Sequence, residues 1–205
     1  MKVKICGITT IDAAKHAANA GADFIGFVFA DSKRRIDVQQ AKKVAAHIPA
    51  DVKKVGVFVN ETVDTIHHIA TTVGLDYVQL HGDESPAFCE QLDFPIIKAF
   101  QVRSKDDLDV LENYACEYYL LDSPAGKYRG GNGDKFDWTL AKHMPNLKGK
   151  ILLAGGLHEQ NVQQALAEVN PDGVDVSSGV ETNGQKDLDK ITAFITKAKS
   201  IKDGD

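Results

Sequence analysis

The sequence has few cysteines, no basic leader followed by a long apolar stretch, and no long hydrophobic run. Its three cysteines, Cys6, Cys89 and Cys116, are odd in number and form no Cys-x-x-Cys pair. A disulfide framework, a cysteine zinc site and secretion are therefore not expected. No apolar run approaches the roughly 20 residues that a membrane-spanning helix requires. These absences predict a cytoplasmic protein that does not contact a membrane.

An excess of positive charge is also missing, since the formal net charge is −5. This argues against a broad nucleic-acid surface, so any anionic ligand must be held by a local cluster of residues. The 205 residues are 43% hydrophobic, which is enough to bury a large core. No low-complexity linker or break in composition divides them, so we expect one domain over residues 1–205. Residues 200–205 are expected to form a frayed tail.

The sequence does contain a regular alternation of short β-rich runs and segments with helical spacing. The runs cover residues 3–8, 24–29, 55–59, 77–81, 96–102, 118–122, 151–154 and 173–176. Eight strand–helix units in a chain of this length indicate an α/β fold of the compact (β/α)₈ or TIM-barrel type. A doubly wound sheet is the alternative. It usually has a glycine-rich dinucleotide turn after its first strand, and Cys6-Gly7-Ile8-Thr9 does not match that pattern.

Residues that start and stop helices agree with this alternation. The expected N-caps are Asp12, Thr62 and Ser85, with Pro86 at a first helical position and with Gly21 and Gly74 at helix ends.

In a barrel of this type the active site lies at the carboxyl ends of the strands. The polar residues at the predicted strand ends are Cys6, Arg34, Arg35, Gln79, His81, Asp122, Asp175 and Ser177. Cys6 is a candidate catalytic thiol or, alternatively, a small buried hydrophobe. Asp122 is a candidate acid or base, or a helix cap.

Two glycine-containing turns, 154–157 and 177–180, follow the last two runs. Glycine lets backbone N–H groups approach an anion closely, so this pair predicts a phosphate site, although each could be an ordinary tight turn. The segment after Asp122 contains Gly126, Gly130, Gly131 and Gly133 and predicts a lid over the site.

Four other residues have open roles. Arg34 is either a surface charge or a bidentate partner for a carboxylate. His81 is a hydrogen-bonded interior residue, a substrate contact or, with less support, a metal ligand. Lys98 in the fifth run could form a Schiff base. Lys4 is expected to pair with Asp175 inside the barrel as structural support.

Several short motifs together resemble the phosphoribosylanthranilate isomerase family. They are Lys4-Ile5-Cys6-Gly7-Ile8-Thr9, Gly26-Phe27-Val28-Phe29, Ser32-Lys33-Arg34, Val55-Gly56-Val57-Phe58-Val59-Asn60, Val78-Gln79-Leu80-His81-Gly82, Leu121-Asp122, Gly130-Gly131-Asn132-Gly133 with Phe136-Asp137-Trp138, Ala154-Gly155-Gly156-Leu157 and Asp175-Val176-Ser177-Ser178-Gly179-Val180-Glu181. The resemblance spans nearly the whole chain in order. It implies a (β/α)₈ barrel of tryptophan biosynthesis that uses no metal or organic cofactor and is a monomer or homodimer.

The resemblance also implies an Amadori rearrangement of N-(5-phosphoribosyl)anthranilate to 1-(2-carboxyphenylamino)-1-deoxyribulose 5-phosphate. In this scheme Cys6 is the general base, acting as a thiolate that Lys4 helps to form, and Asp122 is the general acid. The implied substrate contacts are Arg34 to the carboxylate, Gly156, Ser178 and Gly179 to the phosphate, and Gln79, His81 and Asp175. The alternatives are an aldolase that uses Lys98 and a non-catalytic barrel that senses a phosphosugar.

Overall fold

Eight parallel strands form a closed barrel in chain order, with the last strand paired to the first. The structure is a computed structural model that describes residues 1–123 and 138–200. The strands are β1 Lys2–Cys6, β2 Phe24–Val28, β3 Lys53–Phe58, β4 Tyr77–Leu80, β5 Ile96–Gln101, β6 Tyr118–Asp122, β7 Lys150–Leu153 and β8 Gly173–Val176. The predicted (β/α)₈ barrel is confirmed, and a doubly wound open sheet is excluded.

Helices connect the strands. They are α1 Ile11–Ala20, α2 Val38–Ala45, α3 Val63–Val73, α4 Pro86–Cys89, α5 Asp106–Asp109, α6 Val162–Val169 and α7 Leu188–Lys199, with 3₁₀ segments at Val110–Asn113, Trp138–His143 and Ser178–Val180. A hairpin of β9 Glu181–Thr182 and β10 Gln185–Lys186 lies between β8 and α7. None of the helices in residues 1–123 and 138–200 combines the length and apolarity needed to cross a membrane.

The chain leaves β1 at Cys6, as the sequence predicts. The apolar run continues to Ile8, but the strand ends at Cys6. Gly7 adopts a φ of +76°, which favours glycine, and the amides of Gly7 and Ile8 both donate to the carbonyl oxygen of Gly26. Cys6 is therefore the last strand residue, directly before a sharp turn.

The helix caps follow the sequence with one exception. Thr62 and Ser85 accept from the amides of Thr65 and Phe88, Pro86 lies in the first turn of α4, and Gly21 and Gly74 end their helices in the left-handed conformation. The prediction that Asp12 caps α1 was wrong. Thr10 has the extended backbone that a cap needs, and its hydroxyl accepts from the amide of Ala13, whereas Asp12 lies in the first turn.

Apolar side chains fill the amino-terminal half of the barrel. Phe24, Tyr77 and Tyr118 are the first residues of β2, β4 and β6, and their rings meet edge to face at 5.5–6.0 Å. A second, larger core lies between the barrel and the outer helices. With the lower interior filled, open space inside the barrel is left at the carboxyl ends of the strands.

Candidate active site

A cavity of about 510 Å³ opens at the carboxyl ends of the strands. Nearly all of the predicted site residues line it: Cys6, Arg34, Gln79, His81, Asp122, Gly156, Asp175 and Ser178. Gly179 is the exception. A Cβ atom at Gly179 would collide with the carbonyl oxygen of Leu157, so this glycine lets the turns after β7 and β8 pack against each other.

The thiol of Cys6 lies within the cavity wall at the end of β1. Its side chain packs against Val28 and Val57, and the residue is 7% exposed. A Cβ atom at Gly26 on the neighbouring strand would lie 3.0 Å from the Cys6 sulfur and 3.1 Å from the Lys4 Nζ. The missing side chain at Gly26 therefore leaves the space in which the thiol and the ammonium group meet.

Lys4 and Asp175 form the predicted pair inside the barrel. They are directly opposite in the β1–β8 register, and Lys4 Nζ donates to Asp175 Oδ1 at 2.9 Å. Lys4 is fully buried. Burial acts to lower the pKa of Lys4, but the charges of Asp175 and Cys6 outweigh it and the net change is upward. Lys4 is thus a stable cation beneath the thiol.

The pKa of Cys6 is shifted in the direction opposite to the expected one. Burial raises the pKa of the thiol, the carboxylate of Asp175 raises it further, and the cations Lys4 and Lys186 offset only part of this increase. The expectation that the site favours the thiolate is therefore not met in this structure, because desolvation dominates.

This shift predicts how the thiol reacts with an alkylating agent. The alkylation rate of Cys6 by iodoacetamide should have its midpoint above the ordinary thiol pKa of 9.0, because only the thiolate reacts. In Lys4→Met the midpoint should rise further, since that cation lowers the pKa. Peptide mapping by mass spectrometry separates Cys6 from the other cysteines, and circular dichroism at each pH verifies the fold. A midpoint below 9.0 would contradict the assignment.

Asp122 ends β6 and directs its carboxyl group toward His81. Its Oδ1 accepts from the Ser123 amide at 2.8 Å, and its Oδ2 lies 3.3 Å from His81 Nε2. The distance is that of an ion pair, but the angle is not that of a hydrogen bond. A small rotation of either side chain would align the two groups for a hydrogen bond.

Gln79 in β4 and His81, which directly follows the strand, lie on the same face, as the alternation predicted. Gln79 Nε2 lies 3.1 Å from His81 Nδ1. Gln79 Oε1 and His81 Nε2 are buried and find no hydrogen-bond partner within the described residues. Unsatisfied buried polar atoms are rare, and both of these side chains line the cavity, so they are available to a ligand. No group of three or more His, Cys, Asp or Glu residues in the described ranges could hold a metal ion.

Lys98 does not belong to this site. Its Nζ donates to Glu84 Oε2 at 3.2 Å and to the Gly82 carbonyl at 2.9 Å, and Lys98 is not among the residues that line the cavity. Its strand neighbours Ile97 and Ala99 fill the barrel interior, so Lys98 faces the outer layer. The Schiff-base alternative is therefore wrong, because the amine is directed away from the cavity.

No role was predicted from the sequence for Glu181 and Lys186. In the structure, Glu181 holds Arg34 at the cavity edge and Lys186 holds Glu181. Arg34 and Glu181 are 147 positions apart, and no local pattern marks them as partners. The predicted lid with Gly126, Gly130, Gly131 and Gly133, the adjacent Phe136-Asp137, and the tail after Ser200 lie outside the described residues.

A closed (β/α)₈ barrel with a thiol, a carboxyl group and two glycine-containing turns around one cavity at the carboxyl ends of its strands is typical of an enzyme of the TIM-barrel class. Comparison with known proteins gives the particular family. The family model described as N-(5'phosphoribosyl)anthranilate (PRA) isomerase matches residues 3–197. The chain belongs to this family, so it is an isomerase, and the resemblance noted from its motifs is confirmed.

Individual relatives support the same family assignment. The chain is 54% identical over 200 residues to the N-(5'-phosphoribosyl)anthranilate isomerase of Bacillus mycoides, covering 97% of this chain and 98% of that protein. The crystal structure of the Thermotoga maritima phosphoribosyl anthranilate isomerase is similar at a TM-score of 0.87 and 38% identity, covering 98% and 100% of the two chains. A further similar structure, with a TM-score of 0.84, 37% identity and the same coverage, is the crystal structure of a phosphoribosyl anthranilate isomerase in complex with reduced 1-(o-carboxyphenylamino)-1-deoxyribulose 5-phosphate.

Proposed function

We propose that this protein catalyses the Amadori rearrangement of N-(5-phosphoribosyl)anthranilate to 1-(2-carboxyphenylamino)-1-deoxyribulose 5-phosphate in tryptophan biosynthesis. The observation that carries the proposal is one cavity in which Cys6, Asp122, Arg34 and two glycine-containing turns meet. The rearrangement requires an acid and a base, and its substrate has two anionic groups to be held. The cavity offers a candidate for each requirement. Its volume also falls within the usual range for small-molecule sites.

Asp122 is the proposed general acid. It donates a proton to the ring oxygen of the furanose while the bond from that oxygen to C1 breaks and the nitrogen lone pair forms an iminium ion. The Ser123 amide on Oδ1 and His81 near Oδ2 stabilise the carboxylate that remains. When the Gln79 amide donates to His81 Nδ1, the neutral imidazole carries its proton on Nε2, on the side of Asp122. Gln79 and His81 then support the acid and contact the substrate.

Cys6 is the proposed general base. As a thiolate it removes the proton from C2, and the electrons of that C–H bond form a C1–C2 double bond and neutralise the nitrogen. The resulting enolamine tautomerises to the aminoketone. The Lys4 ammonium group, held by Asp175, stabilises the thiolate through its charge. No covalent bond forms between Cys6 and the substrate.

The phosphate is proposed to bind at the turns after β7 and β8, through Gly156, Ser178 and Gly179. Gly155 and Gly156 have φ values of +81° and +63°, which favour residues without a Cβ atom. Within residues 1–123 and 138–200, the amides of Gly156, Ser178 and Gly179 donate no backbone hydrogen bond outside the helices and strands. These N–H groups are proposed to donate to phosphate oxygens, with Gly179 contributing only its backbone.

A coupled fluorescence assay tests the proposal. Phosphoribosylanthranilate is generated in situ, and its disappearance is followed by the loss of its fluorescence. We expect the purified protein to accelerate this loss in proportion to its concentration. Binding of the reduced product analogue without any loss of fluorescence would instead support the non-catalytic phosphosugar sensor and would overturn the proposed reaction.

A further inference from the structure

Arg34 is held in one orientation by a second carboxylate at the edge of the cavity. Its Nε donates to Glu181 Oε1 at 2.6 Å and its Nη2 donates to Glu181 Oε2 at 2.9 Å. This bidentate contact uses one edge of the planar guanidinium. Within the described residues, Nη1 takes part in no hydrogen bond. Arg34 lines the cavity, so its remaining N–H groups are available to a ligand.

Glu181 is itself fixed from the other side. Lys186 Nζ donates to Glu181 Oε1 at 2.6 Å and to the Ser177 carbonyl at 2.9 Å. Glu181 and Lys186 are directly opposite in the β9–β10 hairpin, which follows β8. The carboxylate therefore cannot move with Arg34 without breaking contacts to the barrel.

The aliphatic part of Arg34 is also restrained. A Cβ atom at Gly7 would lie 2.6 Å from the Arg34 Cδ, so the side chain packs closely over this glycine. The backbone amide of Arg34 donates to the Ser32 hydroxyl at 3.1 Å. The amide contact holds the backbone, and the packing over Gly7 restricts the rotamers of a long side chain that would otherwise lose considerable entropy when it binds a ligand.

We propose that Glu181 is a positioning residue for carboxylate recognition: it holds the Nε and Nη2 edge of Arg34 so that Nη1 receives the aromatic carboxylate of the substrate. Lys186 also donates to Glu181, so Arg34 and Lys186 share this carboxylate, although burial lowers the pKa of Lys186. This inference rests on the proposed function, since it assumes that Arg34 binds the carboxylate of the anthranilate group.

The opposite role would make Glu181 a competitor that the substrate must displace. The two roles differ in the expected direction of KM. If Glu181 competes, removing its charge increases the attraction for the substrate and lowers KM. If Glu181 positions Arg34, removing its charge releases the guanidinium and raises KM. Burial acts to raise the pKa of Glu181, but Arg34 and Lys186 outweigh it and lower the pKa, so the group is charged at neutral pH in either case.

The experiment compares Glu181→Gln and Glu181→Asp with the matched charge control Glu112→Gln. Glu112 is exposed on the segment Val110–Asn113 and lines no described cavity. We expect Glu181→Gln to raise KM about tenfold with little change in kcat. A misplaced Arg34 guanidinium weakens the binding of the substrate and of the transition state by the same amount, and such a loss appears in KM rather than in kcat. Glu181→Asp should have a smaller effect, and Glu112→Gln should have none. An unchanged or lowered KM in Glu181→Gln would overturn the positioning role.

Two further measurements distinguish an effect of Glu181 on Arg34 from a general distortion of the site. The first is N-(5-phosphoribosyl)aniline, which lacks the carboxylate. Its KM should be the same in wild type and Glu181→Gln, whereas a general distortion of the site would raise both KM values. The second is Arg34→Ala, which should raise KM by itself and abolish any further effect of Glu181→Gln. If Arg34→Ala raises KM and Glu181→Gln does not, this inference fails alone. If Arg34→Ala leaves KM unchanged, the carboxylate assignment of the proposed function fails with it.

Discussion

The Cys6→Ser variant is expected to lose about 10²–10⁴-fold in kcat, the usual contribution of a positioned general base. Serine has nearly the same size and can occupy the space beside Gly26, but its hydroxyl group does not ionise near neutral pH. Proton removal from C2 then becomes the slowest step. The fluorescence assay measures kcat, and a substrate deuterated at C2 should show a larger isotope effect in the variant than in wild type.

Cys116→Ser is the matched control, because Cys116 is a partly buried thiol that does not line the cavity. It should retain the wild-type kcat. A near-full rate in Cys6→Ser would remove Cys6 as the base. A stable adduct between Cys6 and the true substrate would contradict the mechanism in a different way, because it would show nucleophilic rather than acid–base chemistry.

Most of the barrel could be predicted from the sequence because each strand and helix has a local signal. The apolar runs and the helical spacings follow from which side chains must be buried, and the N-cap positions of Thr62 and Ser85 follow from the need to satisfy free amides. The error at Asp12 has a local cause. Thr9, Thr10 and Asp12 are all capable of capping, and the backbone conformation that selects Thr10 cannot be determined from residue type.

The composition of the candidate site was predictable for a different reason. Parallel strands of a closed barrel bring their carboxyl ends together, so residues far apart in the chain must converge. Directions of single side chains were less predictable. Lys98 lies in a strand that is buried on both faces, Ile96–Gln101, so no alternation of polar and apolar residues indicated that its amine faces outward.

Interactions between distant charges could not be predicted. The sequence places Arg34 near the cavity but does not indicate that Glu181 and Lys186 hold it. The direction of the Cys6 pKa shift has the same origin. It depends on the balance between desolvation and the charges of Lys4, Asp175 and Lys186, which is a property of the packed structure.

Aspartates at the opposite end of the barrel have a different role from Asp122. Asp23, Asp76 and Asp172 directly precede β2, β4 and β8, and each accepts a hydrogen bond from a backbone amide of another strand. Polar residues at the amino-terminal face of a barrel generally contribute to stability rather than to catalysis. Substitutions of these three aspartates can therefore serve as controls for the substitution of Asp122, which lies at the opposite end of the barrel.

The Asp122→Asn variant is expected to lose about 10²–10⁴-fold in kcat while retaining its fold. The amide oxygen of asparagine can still accept from the Ser123 amide, so the local geometry is preserved, but the side chain has no proton to donate to the ring oxygen. Ring opening then becomes the slowest step. Because proton removal from C2 follows that step, the isotope effect of a C2-deuterated substrate should fall toward one, opposite to its increase in Cys6→Ser.

Asp172→Asn serves as the control for this substitution. Asp172 accepts from the Ile151 amide at 2.8 Å at the amino-terminal end of the barrel, so its replacement should lower the melting temperature without changing kcat. Wild-type kcat in Asp122→Asn would remove Asp122 as the acid. A large loss of kcat accompanied by an enlarged C2 isotope effect would place Asp122 in the proton-removal step instead, and the assignment of acid and base to Asp122 and Cys6 would have to be reversed.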